Sequence, residues 1–342
     1  MNTATLVHQR RHRLLVAVVP LALTLAAWAY LFTGMGDYGY TLIILIAINA
    51  LMATSFNVVL GRAGQLSLAQ AGVMGAGAYA TGLLIVRGGY APWPALVAAV
   101  LVGMVFAALT ALPVLHLKGL YFAITTFAAG ELVVIYLGID EALTGGGMGL
   151  TGIAPLSPVH LGGRTLLDPL FPRDMAIVTS LALMLVTVLV ALLARLRVGA
   201  TWTATKDDET LAASLGVTPY RAKLTAIIVS GGIAGLAGGL YATYLQYLQP
   251  SQFDSWQSIM FLSMAVVGGL GRTYGPLAGA ALLTLLSEWL RDLHLNDAAF
   301  ILSGLALIAI VLVAPRGIVG ELARAVPRLR PGASPREEVR PR

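Results

Sequence analysis

Of 342 residues, 58% are hydrophobic and 11% charged, and the mean hydropathy is +0.82, so lipid rather than water is the solvent this chain is built for. Its net charge of +6 comes from basic residues spread over loop ends without interleaved aromatics, which argues against nucleic acid and for lipid headgroups. The chain has no cysteine, which excludes disulfides, thiolate metal sites and cysteine nucleophiles.

The predicted elements are membrane-crossing helices, each needing about 20 apolar residues to cross a ~30 Å hydrocarbon core. About ten runs fit this requirement: 14–33, 40–60, 65–86, 92–115, 119–138, 175–194, 224–247, 256–271, 275–290 and 299–314. The third, eighth and ninth are short or interrupted by Gly and Pro. The expected fold class is therefore an all-α integral membrane protein, with some helices short or broken. All of the 22 basic residues except Arg87, Arg164, Arg173 and Arg291 fall on one side of this map, which the positive-inside rule makes the cytoplasm. Both termini then lie there. The expected organisation is a basic segment 1–13, a membrane domain 14–315 and a disordered basic tail 316–342. Arg10, Arg11 and Arg13 precede an apolar run containing Ala27-Trp28-Ala29, which imitates a secretory signal. The run continues past that site, so an uncleaved first span is expected.

The third run opens on Gly61-Arg62-Ala63-Gly64-Gln65-Leu66-Ser67-Leu68-Ala69-Gln70-Ala71-Gly72. Glycines followed by Gln65, Ser67 and Gln70 suit a broken or re-entrant start, tolerated in a membrane only where backbone is buried in protein or lines a cavity. An equally open reading has Gln65 and Gln70 bonding neighbouring helices. The fifth run carries Thr125, Thr126 and Glu131. At 1.5 Å per residue from Gly119, Glu131 lies roughly 18 Å in. A carboxylate near mid-membrane costs roughly 2.5–3.5 kcal/mol on insertion scales, so it faces a bundle interior or a wet cavity. Two roles stay open for it, lining a pathway or bonding a neighbouring helix. Glu288 is a second intramembrane acid, near the outer end of the ninth run.

The loop 139–174 lies outside on this map. Its stretch Thr144-Gly145-Gly146-Gly147-Met148-Gly149-Leu150 is too glycine-rich for regular structure, and Pro155, Pro158, Pro169 and Pro172 follow. It either docks an external protein or caps the bundle. In the cytoplasmic loop 195–223, Asp207, Asp208 and Glu209 open a short helix whose Leu211, Ala212 and Leu215 share a face, with Gly216 and then Pro219 as stop signals. Such a helix falls well under the ~12–15 residues needed for marginal stability alone. Its apolar face needs a partner, either the bundle or a cytosolic protein. Small residues recur at every fourth position: Gly231, Gly235 and Gly239; Gly275 and Gly279; Gly72, Ala76 and Ala80. They suit close helix packing. Gly61-Arg62 and Gly271-Arg272 both sit beside helix ends, a weak hint of two pseudo-related halves.

Catalytic signatures are missing. No Gly-Lys dipeptide occurs, so this chain has no P-loop and no nucleotide hydrolysis of its own. Gly34-Met35-Gly36-Asp37-Tyr38-Gly39 matches a dinucleotide pattern but follows a membrane helix rather than a strand. His8 and His12 lack a third metal ligand nearby, and His116, His160 and His294 are scattered. A transport protein, not an enzyme, is expected, and a stand-alone ion-coupled carrier or channel using Glu131 is the alternative to a driven permease.

The blocks 61–79, Gly119-Leu120-Tyr121-Phe122-Ala123-Ile124-Thr125-Thr126 leading to Glu131, Thr144-Gly145-Gly146 through Gly149-Leu150, and Gly268-Gly269-Leu270-Gly271 through Gly275 together resemble the membrane permeases of branched-chain amino acid ABC importers, LivM type. The resemblance spans roughly 40–317. It implies a bacterial plasma-membrane permease that works with a second homologous permease, two cytosolic ATPases and an external substrate-binding protein. ATP and Mg would then be bound by the ATPases and no cofactor by this chain. It also implies that the segment 203–219 docks on an ATPase, with Glu209, Leu211, Ala212, Leu215 and Gly216 as the coupling residues. Gln65, Ser67, Gln70, Thr125, Thr126 and Glu131 would line part of the substrate pathway. Two positions depart from the family pattern: Gln70 stands where histidine is common, and Thr210 where an acid is often found.

Overall fold

The computed structural model describes residues 36–117, 119–161, 164–292, 304 and 317–319. The expected first span 14–33, the basic segment 1–13, and nearly all of the expected last span 299–314 and tail 316–342 lie outside the described residues. Eight of the predicted apolar runs form helices: α1 (Asp37–Phe56), α2 (Gln70–Val86), α3 (Pro92–Ala111), α4 (Leu120–Ile139), α5 (Pro172–Arg195), α8 (Pro219–Leu245), α9 (Ser255–Gly268) and α10 (Gly275–Asp292). Between α5 and α8 lie two shorter ones, α6 (Arg197–Asp207) and α7 (Glu209–Ser214). Among the described residues, five helices are long and apolar enough to cross a membrane, and the runs expected to be short (α2, α9 and α10) are not among them.

Local chemistry sets the helix ends. Pro92, Pro172 and Pro219 each stand at the first position of a helix, where a missing N–H leaves no bond unmade and the fixed φ suits the turn. One end of the bundle carries Arg62, Lys206, Lys223 and Arg272, close to one another through their contacts. We refer to it as the basic end. At the other end the glycine-rich stretch departs from the irregular loop expected. Gly145, Gly146 and Gly149 take positive φ and turn the chain so that Leu150 drops into the core. There β1 (Leu150–Thr151) pairs antiparallel with β4 (Tyr247–Leu248), the continuation of α8. Tyr247 Oη donates to Met148 O at 3.0 Å and Trp93 Nε1 to Ser157 O at 3.0 Å. A separate two-stranded sheet pairs β2 (Val159–Leu161) with β3 (Arg164–Leu167). The first part of this loop is thus a cap fastened to α3 and α8.

Helix α8 is the hub, packed against α3, α2 and α1. Its small residues allow this. A Cβ on Gly231 or Gly235 would strike the α3 backbone at Gly103 and Ala99, and one on Gly239 would press on Leu96. Gly275 and Gly279 do the same for α10 against the end of α9, at Gly268, Gly269 and Met264. On α2 the expected Gly72, Ala76 and Ala80 stripe is not what packs: Ala76 and Ala80 are only half-buried. The reason is that α2 is enclosed on several sides. Gly72 meets Gly130 of α4, Gly75 meets Phe253, and Gly77 meets Gly235 of α8. Close approach in lipid supplies association energy that hydrophobic burial does not.

Gly235→Val would force a branched side chain into the Ala99 carbonyl. Overpacking of this kind costs about 1–3 kcal/mol, so the detergent-solubilised protein is expected to melt at a clearly lower temperature. An unchanged melting temperature would contradict the packing described.

Candidate functional site

Helix α1 does not end cleanly. Its last residues widen into a π-turn, Asn57–Arg62, and the chain then runs without regular structure from 64 to 69 before α2 starts at Gln70. Gln70 is level with Ser55, not with Arg62. The whole π-turn lies between those two. The non-helical stretch therefore climbs into the bundle, as a re-entrant start requires.

Its polar groups find partners from four helices. Ser55 Oγ lies 3.0 Å from Gln70 Oε1 and 3.0 Å from Ser230 O, and Gln70 Nε2 donates to Ser230 Oγ at 3.1 Å. All three residues are buried, so this knot joins α1, α2 and α8 in the core. Ala71 N–H, one of the unpaired donors at the α2 start, is accepted by the buried Ser258 Oγ of α9 at 3.0 Å. Leu68 N–H is accepted by Thr126 Oγ1 of α4 at 3.2 Å. Gly130 lets α4 come against Ala69. One residue further on, Glu131 Oε2 accepts from Ser255 Oγ of α9 at 2.5 Å. Gln65 and Ser67 are buried along the broken stretch itself.

The candidate pathway residues are therefore only partly united. Gln65, Ser67 and Gln70 lie along the broken segment or at its end, Thr126 bonds its backbone, and Glu131 stands beside it on the α4–α9 seam. Thr125 does not join them. One residue along a helix is a turn of about 100°, and Thr125 points instead to an apolar groove between α3 and α4 with Phe106, Leu109, Pro113, Leu132 and Tyr136. Its hydroxyl bonds back to Tyr121 O at 2.8 Å. Glu288, the other acid, accepts from Tyr38 Oη at 2.8 Å and ties α10 to α1. Sequence reasoning missed Ser55, Ser230, Ser255 and Ser258. A serine in an apolar helix gives little signal, because its hydroxyl can bond back to its own backbone, as Ser230 does to Ile227 O at 2.9 Å.

At the basic end, Asp208 caps α7 by accepting from Thr210 N at 2.8 Å and Leu211 N at 3.0 Å. Gly216, at φ +85°, closes it: Val217 N–H bonds Ala212 O and Gly216 N–H bonds Ala213 O, both at 3.0 Å. The expected shared face is split. Ala212 is buried, whereas Leu211 and Leu215, four residues apart, are 59% and 76% exposed. Glu209, half-buried, pairs with the buried Lys223 of α8 at 2.5 Å. The two stretches Gly61-Arg62 and Gly271-Arg272 touch: Asn57 Oδ1 accepts from Gly271 N at 2.6 Å, and Arg62 Nη2 donates to Thr273 Oγ1 at 3.1 Å.

A helical membrane bundle with a broken, polar-lined helix at its centre is the construction of a transport permease. The comparison with known proteins narrows that class: the chain belongs to the family described as branched-chain amino acid transport system / permease component, which it matches over residues 40–311. It is 31% identical to the high-affinity branched-chain amino acid transport system permease protein LivM of Escherichia coli K12, over 95% of this chain and 78% of that one. LivM of Salmonella typhimurium LT2 is likewise 31% identical, over 85% of this chain and 72% of the relative. The autoinducer 2 import system permease protein LsrC of Salmonella typhi is 27% identical over 63% of this chain and 66% of its own length. No solved structure matches the chain.

Ser258→Ala would leave the Ala71 N–H without its acceptor in the core, a loss of about 1–3 kcal/mol. Thermal unfolding in detergent should show it, and Ser258→Thr, which keeps the hydroxyl, should recover part of the loss. An alanine variant as stable as the parent would show that this bond does not hold the α2 start.

Proposed function

We propose that this chain is the membrane-spanning permease subunit of an ATP-driven importer for branched-chain or related hydrophobic amino acids. Its basic end faces the cytoplasm of a bacterial inner membrane. The substrate class follows the LivM relatives, which are more similar to this chain than the autoinducer 2 permeases. An external substrate-binding protein delivers the amino acid to a pathway shared with a second permease, and two cytosolic ATPases bind the ATP and Mg. Gln65, Ser67, Gln70, Thr126 and Glu131 offer the polar groups along this chain's share of that path.

The observation that carries the reading is at α7. A six-residue helix, capped at both ends, projects Leu211 and Leu215 from the bundle while the Glu209–Lys223 pair anchors it to α8. Two exposed leucines on so short an element suit a hydrophobic groove on a cytosolic protein. A push there reaches α8, the hub of the bundle. This chain has no P-loop, which fits energy arriving through such a contact.

Leu211→Asp alters an exposed side chain and should leave the bundle's melting temperature unchanged. Co-purification of the ATPases should be lost, and ATP-dependent uptake with it, by roughly tenfold or more if the leucine is a central contact. Retained ATPases and full uptake would remove α7 from the docking surface. Uptake that survives without ATPases but collapses with an uncoupler would instead favour the stand-alone ion-coupled carrier.

A further inference from the structure

The geometry points to Lys206 as a positioning residue that passes movement of the α6–α7 corner to the broken start of α2, an inference that rests on the importer reading above. Lys206 lies near the end of α6 and crosses to α1. Its Nζ donates to Gly61 O at 2.7 Å. Its stem lies against Gly64, where a Cβ would come 2.9 Å from Lys206 Cγ. One side chain thus spans the two glycines between which the π-turn gives way to irregular backbone. Gly64 has φ +71°, a conformation that glycine adopts readily and other residues do not. These four residues have the character of a hinge, a few positions at an element end that absorb a change in backbone dihedrals.

The hinge is held from the opposite side as well. Asn57, fully buried in the π-turn, accepts from Gly271 N at 2.6 Å and donates through Nδ2 to Arg272 O at 2.9 Å. A Cβ on Gly61 would come 2.6 Å from Gly271 N. The α9–α10 turn is therefore a fixed stop on one flank, and Lys206 is the attachment on the other.

The element that carries Lys206 is stiff. Trp202 of α6 is completely buried, with Nε1 donating to Thr225 Oγ1 of α8 at 3.0 Å. The Glu209–Lys223 pair fixes α7 to the same helix. Force on Leu211 and Leu215 moves this corner as one body, and the ammonium, bonded to a carbonyl at the hinge, draws the 61–64 backbone with it. The residues that follow are Gln65 and Ser67. Lys206 touches no substrate, and its effect is exerted through the backbone that presents those groups.

The test uses the assembled importer in sealed vesicles, measuring amino acid moved per ATP hydrolysed. Lys206→Met keeps the stem against Gly64 and removes the donor. The expected result is a roughly tenfold fall in that ratio, the size of effect given by losing one charge-assisted hydrogen bond. The ATPases stay bound, hydrolysis continues, and Lys206→Arg, which retains a donor, restores most of the ratio. An unchanged ratio in Lys206→Met overturns the inference. So does a Lys206→Met complex that sheds its ATPases, because the residue would then maintain the corner's shape and pass no movement on. Parent vesicles whose uptake ignores ATP would defeat the importer reading itself, a different outcome from ATP-driven uptake with an unaltered ratio.

Discussion

A peptide group inside hydrocarbon has no water to bond, so any backbone that leaves the helix there must be satisfied by protein. In this chain residues 64–69 do leave it, and much of the bundle answers to that fact. Thr126 accepts from Leu68 N–H, Ser258 accepts from Ala71 N–H, and the Ser55–Gln70–Ser230 knot fixes the level at which α2 resumes. Each contact comes from a different neighbouring helix. Remove the requirement and there is little reason for four helices to converge with hydroxyls at that depth.

Convergence at this density needs slender helices. Gly72, Gly77, Gly130, Gly231 and Gly235 bring backbones together where side chains would hold them apart. The same small residues leave few interlocking knobs between α2, α4 and α8, and surfaces of that kind can shift against each other when force arrives. The structure thus combines a well-bonded broken segment, a stiff corner at the basic end, and smooth contacts between them. A push delivered at the basic end would travel through those parts.

Much of this was legible in the sequence. Apolar run length placed eight of the described helices to within a few residues, because hydrocarbon selects for continuous apolar stretches, but it gave no sign of α6. The break before α2 was readable from Gly61, Gly64, Gln65 and Gln70, and the end of α7 from Gly216 and Pro219. Partners were not legible. Thr125 and Thr126 look alike in a sequence, and only the direction of α4 puts one in the site and the other on a groove. Ala212 and Leu211 were joined by their apolar character, but their angular separation sends one inward and one outward. The pairing of β1 with β4 depends on residues almost a hundred apart in the chain, which no local pattern encodes.

The central claim is that the broken segment borders the route taken by substrate, and the cysteine-free chain allows a direct measurement. A single cysteine replacing Ser67 would be titrated with a water-soluble, membrane-impermeant thiol reagent in assembled, ATP-cycling importer. The account expects Ser67→Cys to react during turnover and transported amino acid to slow the reaction. A residue 67 that stays unreactive in every state, while a cysteine at the exposed Ser214 labels readily, would place the segment outside the route and contradict the account.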